Sequence, residues 1–312
     1  MLPLQASFAS IQKKPVIGIN IAINKVISAN EHPLLTNSVF LSYKNAINEL
    51  YFLSPQHLLW VSQENPQINS VLNLIATASD SGLNKEHYNL TLLQALWQQL
   101  SKQKETSYAE RALLDTAVSI NLIHFLSDLH FGRINPTSLK FHFDAKRNAL
   151  VLIPYILKAI QNQTVSQLAH HVEPVFPAYH QLKKQLLAYR NKQPEQAIQK
   201  LSYITSLHPE QTSQQILEIR QQLYLLGAST EKNNPSLLYD QKLLSQIKKF
   251  QFHHGLKQDG IIGKNTIRAL NTPISQYILK IQLALERFRW LPKIQPGPLV
   301  MVNIPALQLW AY

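Results

Sequence analysis

Cysteine is absent from the 312-residue sequence. Its absence excludes disulfides, thiolate metal sites and thiol nucleophiles in this chain. It does not identify the compartment, because a chain without cysteine suits both reducing and oxidising surroundings. We expect no cofactor.

Acidic residues are also scarce, with 18 Asp and Glu against 30 Lys and Arg, so the net charge is +12. Charged residues make up only 15% of the chain, below the usual share of about 25%. The basic excess favours an anionic partner, which could be nucleic acid, acidic lipid or a polymer that bears carboxylates. The basic residues are scattered, and no run of five or six occurs. We therefore do not expect nucleic acid as the partner.

Long apolar runs are missing as well. None reaches the ~18 residues that a membrane span needs, so we expect no transmembrane segment. The start, MLPLQASFAS, lacks the basic residues and the long apolar core of a signal peptide. Ser7-Phe8-Ala9 resembles the small-x-small end of such a peptide, which leaves open a shortened start or an ordinary frayed terminus. Hydrophobic residues are 45% of the chain, enough for a globular core.

The spacing of apolar residues predicts a mainly α-helical protein. Isoleucines alternate with other residues over 17–23, and this period of two predicts a strand in the N-terminal tail. Helical spacing follows. Residues 114–129 form one apolar stripe that stops at Gly132, and residues 179–189 form another that begins after Pro177. We interpret both stripes as core.

Glycine is rare, and half of it falls in one stretch. Residues 213–226 and 240–254 have the spacing of two helices, and a third, shorter helix carries Thr266. Glycine concentrates where the backbone must turn tightly, so we expect a compact three-helix module with structural loop positions at Gly255, Gly260 and Gly263. Four of the eight glycines lie here: Gly227, Gly255, Gly260 and Gly263.

The end of the sequence changes character. Residues 274–288 form the cleanest amphipathic stripe, with Pro273 suited to the first turn of a helix. Residues 300–309 then alternate between apolar and other residues, with Pro305 as an interruption, which predicts two short strands or one bulged strand. Two strands alone do not form a stable sheet, so we expect further structure beyond Tyr312.

Residues 239–271 closely resemble the peptidoglycan-binding-like module of bacterial cell-wall proteins. The spacing agrees throughout. The resemblance lies in Tyr239-Asp240, Leu243, Phe250-Gln251, His254-Gly255-Leu256, Asp259-Gly260, Gly263, Thr266 and Ala269-Leu270-Asn271.

Other stretches resemble the long, scaffold-containing class of L,D-transpeptidases, over most of residues 30–312. They are Leu59-Trp60, Ser81-Gly82-Leu83 with Tyr88, Phe131-Gly132-Arg133 with Pro136, Glu286-Arg287-Phe288-Arg289-Trp290-Leu291-Pro292 and Val302-Asn303-Ile304-Pro305. The resemblance implies an N-terminal tail over 1–29, a helical scaffold over 30–205, the binding module over 206–273, a connecting helix over 274–296 and the first strands of a truncated catalytic domain over 297–312.

The resemblance also implies a location and limits the chemistry. Proteins of this class lie in the periplasm or cell envelope, and their thiolate nucleophile belongs to a Ser/Thr-His-Gly-Cys motif with another histidine upstream. This chain has no cysteine and no histidine after His254. No catalytic residue can be carried over, so we expect no enzyme activity from the chain as it stands.

Four polar residues of the module are candidates for contact with a sugar or stem peptide: Gln251, His254, Asp259 and Thr266. An aspartate beside a glycine more often binds loop amides, and Thr266 more often supports a helix start. Elsewhere, His124 and Asp128 lie four residues apart with His130 nearby, a spacing that can hold a metal. Without a third ligand in register, we expect no metal site.

Two main hypotheses follow. The first is a peptidoglycan-binding, cell-wall-associated fragment of an L,D-transpeptidase that is inactive without its cysteine. The second is a non-catalytic envelope scaffold that docks a partner protein, whose strand would complete the apolar C-terminal segment. A nonfunctional remnant of a broken gene is a third, weaker alternative.

Overall fold

The computed structural model describes residues 8–54, 58–62, 66–103, 105–139, 148–193, 200–203, 205–291, 300–303 and 308–311. Ser7, Pro292, Ile304, Pro305 and Tyr312 from the sequence predictions lie outside these residues. The chain divides into two compact units. Unit 1 comprises Met1–Phe176 with Glu286–Tyr312, and unit 2 comprises Pro177–Leu285.

The prediction of a mainly helical protein is confirmed, since the described residues contain twelve α-helices. Short 3-10 turns connect several of them, at Thr77–Ser81, Lys85–Tyr88, Pro136–Leu139, Ala149–Leu152 and Val165–Gln167. The helices are α1 (Phe8–Ser28), α2 (Asn37–Leu53), α3 (Ile68–Ala76), α4 (Leu90–Lys102), α5 (Tyr108–Phe131), α6 (Ile153–Gln161), α7 (Leu168–Val172), α8 (Pro177–Lys192), α9 (Gln215–Leu225), α10 (Gln241–His253), α11 (Lys264–Leu270) and α12 (Ile274–Trp290).

The strand predicted in the N-terminal tail is wrong, because this segment forms α1. Ile23 and Ile27 are buried in the core of unit 1, whereas the side chain of Ile21 is 63% exposed. Burial at intervals of four residues is the pattern of a helix packed on one face. Isoleucine occurs at both spacings here, so the alternation alone was ambiguous.

Helix α5 runs through the centre of unit 1. Ser107 and Glu110 form a capping box at its start, and the helix ends before Gly132, as predicted. By length and composition α5 could span a membrane, but 89% of its most apolar window is buried inside the structure. A core helix has the same composition. Helix α5 also carries a buried ionisable side chain, Asp115.

The carboxylate of Asp115 holds a turn of the chain against α5. It accepts hydrogen bonds from the backbone amides of Leu59, Trp60 and Val61 at 2.9, 2.7 and 3.0 Å. The hydroxyl of Tyr51 donates to it at 2.5 Å. Burial raises the pKa of the Asp115 carboxyl, and these hydrogen bonds oppose that rise. One buried side chain thus joins α2, the turn and α5.

Three of the sequence stretches noted above meet in a second buried cluster of unit 1. Glu286 accepts a hydrogen bond from the backbone amide of Ile134 at 2.8 Å and lies 3.3 Å from the guanidinium of Arg289. Arg289 in turn donates to the carbonyl of Ser81. Gly132 has a φ of +77°, and a Cβ there would lie 2.6 Å from Glu286 Oε1. The close packing therefore requires glycine.

Unit 2 contains α8 to α11 and the first part of α12. The three predicted module helices are confirmed as α9, α10 and α11. Asp240 caps α10, because its side chain accepts a hydrogen bond from the amide of Leu243 at 2.8 Å. Two isolated antiparallel bridges join the loops of the module, Leu207 to Ile262 and Thr212 to Leu238.

Two short strands lie near the C-terminus, β1 (Val300–Asn303) and β2 (Gln308–Ala311). They pair antiparallel, with Val300 opposite Ala311 and Val302 opposite Leu309. Val300 is 60% exposed and Leu309 64% exposed.

Candidate functional site

The loop that follows α10 is built around the side chain of Gln251, which is 1% exposed. Its amide nitrogen donates to Asp259 Oδ1 at 3.1 Å and to the carbonyl of Ile261 at 3.0 Å. Its amide oxygen accepts from the backbone nitrogen of Gly260 at 2.9 Å. A buried amide whose donors and acceptor are all used stabilises the loop.

Asp259 and Thr266 serve the same loop. The carboxylate of Asp259 accepts a hydrogen bond from the backbone amide of Ile261 at 2.9 Å. This bond lowers the pKa of the Asp259 carboxyl below its usual value. Thr266 is buried, and its hydroxyl donates to the carbonyl of Ile261 at 3.2 Å. Direct ligand contact by these residues, as by Gln251, stays a prediction.

The three loop glycines differ in what their backbone demands. Gly255 and Gly260 have φ values of +64° and +73°, which favour glycine. A Cβ on Gly260 would also lie 2.2 Å from Leu244 Cδ1, and its carbonyl accepts a hydrogen bond from Tyr239 at 2.6 Å. Gly263 has an extended backbone with φ −97°, and a Cβ there would meet only Ser206 Oγ, at 3.7 Å. Its backbone does not require glycine.

His254, at the end of α10, is held by its neighbours in one orientation. Its Nδ1 lies 2.7 Å from the carbonyl of Phe250, and since a carbonyl can only accept, Nδ1 carries the proton. Nε2 then accepts from the hydroxyl of Tyr277 at 3.0 Å. The imidazole stacks on Phe250, with ring centroids 3.9 Å apart. Tyr277 stacks on Tyr189, with centroids 5.5 Å apart and planes 14° apart.

The rings of Tyr189, Phe250 and His254 border a groove of about 290 Å³, which we call the His254 groove. Burial raises the pKa values of Tyr189 and Tyr277, so both hydroxyls stay neutral at pH 7. The Tyr189 hydroxyl donates to the carbonyl of Leu226 at 3.3 Å, as that of Tyr277 does to His254. Lys192 adds a cation at the rim. The groove thus combines aromatic faces, neutral polar groups and one positive charge. It is lined by Gln185, Ala188, Tyr189, Lys192, Leu225, Leu226, Gly227, Ala228, Phe250, His253 and His254.

A second surface of unit 2 lies on the outer face of α10. Lys248 and Lys249 border a shallow cleft of about 370 Å³ together with Phe252, whose side chain is 61% exposed. An exposed aromatic ring beside two cations suits a polymer that presents both sugars and carboxylates.

Of the residues that build these two surfaces, the sequence analysis identified only His254. Tyr189 belongs to the stripe of α8 that the sequence analysis interpreted as core. Tyr277 falls outside the apolar stripe of α12. The sequence did contain a signal for Tyr277 and Phe252, because each is an aromatic residue on the polar side of an amphipathic helix.

The residues weighed for a metal site are engaged within unit 1. His124 Nε2 lies 3.5 Å from Asp128 Oδ2, which also accepts a hydrogen bond from the hydroxyl of Tyr88 at 3.0 Å. His130 Nδ1 donates to the carbonyl of Val172 at 2.9 Å. Among the residues that the structure describes, no group of three or more His, Cys, Asp or Glu is arranged to hold a metal.

Comparison with protein families finds two domains. Residues 45–186 match the family described as "Scaffold domain", and residues 212–270 match the family described as "Putative peptidoglycan binding domain". The second match begins at Thr212, which forms a β-bridge with Leu238, and ends at Leu270, the last residue of α11. A comparison with curated proteins found no match. The expected scaffold and peptidoglycan-binding domains are therefore confirmed, while membership of the L,D-transpeptidases stays a prediction.

Proposed function

We propose that this chain binds peptidoglycan through unit 2 and is held in the cell envelope by that binding. The peptidoglycan-binding family match carries the proposal, because it covers α9, α10 and α11, and α9 and α10 supply part of the His254 groove. The family match supports association with the cell wall. We further propose that the wall binds in the His254 groove and that the chain lies in the periplasm.

The chemistry of the groove suits a segment of the wall polymer. The faces of Tyr189 and His254 can pack on a sugar ring or an apolar peptide side chain. Peptidoglycan carries free carboxylates, which the ammonium of Lys192 and the net charge of +12 attract. Lys248 and Lys249 on the outer face of α10 would act in the same direction.

Co-sedimentation with purified sacculi tests the proposal. Ala188 is exposed and lines the groove of about 290 Å³, so Ala188→Trp would place an indole ring in this space without disturbing the core. Leu187 is its neighbour on α8 and is 50% exposed, but it does not line the groove. We expect the wild type and Leu187→Trp to pellet with sacculi, and Ala188→Trp to lose most of its binding.

Two results would overturn the proposal. Equal pelleting with and without sacculi would show that the protein sediments by itself, and no pelleting in either condition would show that it does not bind the wall. Equal binding by both tryptophan variants would keep wall binding but exclude the groove. Thermal unfolding of each variant should accompany the assay, so that a folding defect is recognised.

We also propose that the chain is the wall-binding part of a scaffold-containing L,D-transpeptidase and does not itself catalyse transfer. The order of a scaffold domain before a peptidoglycan-binding domain supports this class. The chain has no thiol to act as nucleophile. Intact-mass measurement of the native protein, with thiol labelling, tests it. A native species of 35.7 kDa with no thiol-bearing continuation or partner would count against the transpeptidase class.

The C-terminal hairpin favours a second candidate function, docking of a partner protein. β1 and β2 pair only with each other among the described residues, and their exposed Val300 and Leu309 could be covered by a partner's strand. Recovery of one partner at constant stoichiometry, together with no binding to sacculi, would favour this function over the first.

A further inference from the structure

Unit 1 has a large open cleft that neither family match explains. It has a volume of about 690 Å³ and lies beside α1, α2 and the 3-10 turn at Ala149–Leu152. We call it the amide cleft, because side-chain amides dominate its polar lining. The cleft is lined by Asn24, Ile27, Asn45, Asn48, Glu49, Tyr51, Phe52 and Leu150.

Three asparagines give the cleft its polar character. Asn24 comes from α1, and Asn45 and Asn48 lie one turn apart on α2. All three are exposed, and within the described part of the chain their side chains bond to no other protein group. Each amide offers two donors and one acceptor oxygen. That combination matches hydroxyl and acetamido groups, which also donate and accept.

The apolar part of the cleft is an aromatic ring. Phe52 lies one turn beyond Asn48 on the same face of α2, and its side chain is 78% exposed. Leu150 is 40% exposed on the other side of the cleft. An exposed ring in a concave, partly polar surface is typical of a ligand site. The C–H face of a sugar ring packs well on such a ring.

The floor and walls of the cleft are held in place. Tyr51 is buried, and its hydroxyl donates to Asp115 at 2.5 Å and lies 3.0 Å from Ser119 Oγ. Lys44, on α2, donates to the carbonyl of Ala29 just beyond the end of α1 at 2.6 Å. A site whose helices are already fixed loses little entropy when a ligand binds.

The lining of the amide cleft differs in charge from the chain as a whole. Among the residues that the structure describes, Glu49 is the only charged one in the lining, whereas the chain carries +12 overall. We propose that the amide cleft binds an uncharged saccharide, an oligomer of N-acetylated amino sugars. This is a second binding site, which does not depend on the His254 groove. It lies in unit 1, whereas the peptidoglycan-binding match lies in unit 2.

Calorimetric titration of the full chain with chitotetraose, an uncharged oligomer of N-acetylglucosamine, tests the proposal. We expect saturable binding that Asn48→Ala and Phe52→Ala each weaken about tenfold or more. Two matched controls lie on the same helix outside the cleft, Asn37→Ala and Leu41→Ala, and both side chains are exposed. These controls should bind as the wild type does.

The calorimetric results distinguish the amide cleft from the His254 groove. The protein with Ala188→Trp should still bind chitotetraose, because that substitution fills only the His254 groove. No saturable heat with the wild type, or unchanged affinity in both Asn48→Ala and Phe52→Ala, would overturn the amide cleft. Loss of chitotetraose binding in Ala188→Trp would place the saccharide in unit 2 and would also overturn it.

Discussion

At the scale of single residues, buried polar groups with complete sets of partners recur in both units. His32 is one of them. It is 2% exposed, its Nδ1 accepts from the amide of Leu34 at 3.2 Å, and its Nε2 lies 3.1 Å from Thr116 Oγ1. Because Nδ1 accepts, the neutral ring must donate from Nε2. The Thr116 hydroxyl in turn donates a hydrogen bond to the carbonyl of Ala112 at 2.7 Å.

This arrangement predicts a loss of stability in acid. Burial lowers the pKa of His32 to about 4 from 6.5. Between pH 6.5 and pH 4, His32 is protonated in the unfolded chain but stays neutral in the folded chain. The free energy of unfolding therefore falls as the pH drops from 6.5 towards 4. One pKa unit corresponds to about 1.4 kcal/mol, so the loss amounts to roughly 2–3 kcal/mol.

Urea unfolding at several pH values checks this expectation. His32→Asn should be less stable at pH 7 but should show a shallower fall of stability between pH 6.5 and 4. His208 is exposed, so His208→Asn should follow the wild type over the whole range. An equally steep fall in His32→Asn and the wild type would show that other groups cause the acid sensitivity.

Individual polar residues were only partly predictable. The sequence singled out Gln251, His254, Asp259 and Thr266 because they are polar residues of the stretch that resembles the module. Burial then decides what each can do, and burial depends on contacts between residues far apart in the sequence. The stacking of Tyr277 on Tyr189 is such a contact, and no local pattern contains it.

At the scale of elements, local signals sufficed wherever a helix had a cap or a stop. Asp240 begins α10, Gly132 follows α5 and Pro177 begins α8, and each was visible in the sequence. The error in α1 has the opposite cause. The isoleucines of that segment fit two periods equally well until contacts with the core select one.

The glycine loop after α10 supplies a prediction at this scale. Gly260→Ala places a Cβ at positive φ and within 2.2 Å of Leu244, so we expect a loss of about 1–3 kcal/mol in unfolding free energy. Gly263→Ala meets nothing closer than 3.7 Å in an extended backbone. We expect it to change stability by no more than about 0.5–1 kcal/mol, because the reduced freedom of the unfolded chain is opposed by the preference for glycine over alanine at this helix N-cap.

Chemical denaturation of the two alanine variants beside the wild type provides the measurement. The pair is matched, since both replace a glycine of the same loop with the same residue. Equal losses from both substitutions would contradict the assignment of strain to Gly260 alone.

At the scale of the whole molecule, the structure divides the chain at Phe176 and again at Leu285. The family matches cover residues 45–186 and 212–270. The sequence analysis placed the scaffold and the module in the same order. It could not anticipate that the end of α12 belongs to unit 1, because Glu286 and Arg289 find Ile134 and Ser81 only in three dimensions.

The net charge of +12 predicts different salt dependence for the two proposed sites. Raising the salt concentration from about 50 mM to about 300 mM shortens the Debye length from roughly 14 Å to roughly 6 Å. Binding to sacculi should therefore weaken several-fold, whereas chitotetraose binding should stay nearly constant. Repeating both assays at the two salt concentrations checks this. Equal binding to sacculi at both salt concentrations would show that the positive charge does not contribute to that binding.

The bonds of Asp115 have a consequence for the order in which unit 1 folds. Its hydrogen bond to the amide of Leu59 joins residues 56 positions apart, and α1 and α2 also pack on α5. Contacts of this separation form only after a long stretch of chain has closed on itself. During synthesis, the apolar faces of α1 and α2 therefore lack their contacts with α5 until α5 has been made. In that interval these faces are open to other chains, which makes this segment prone to aggregation.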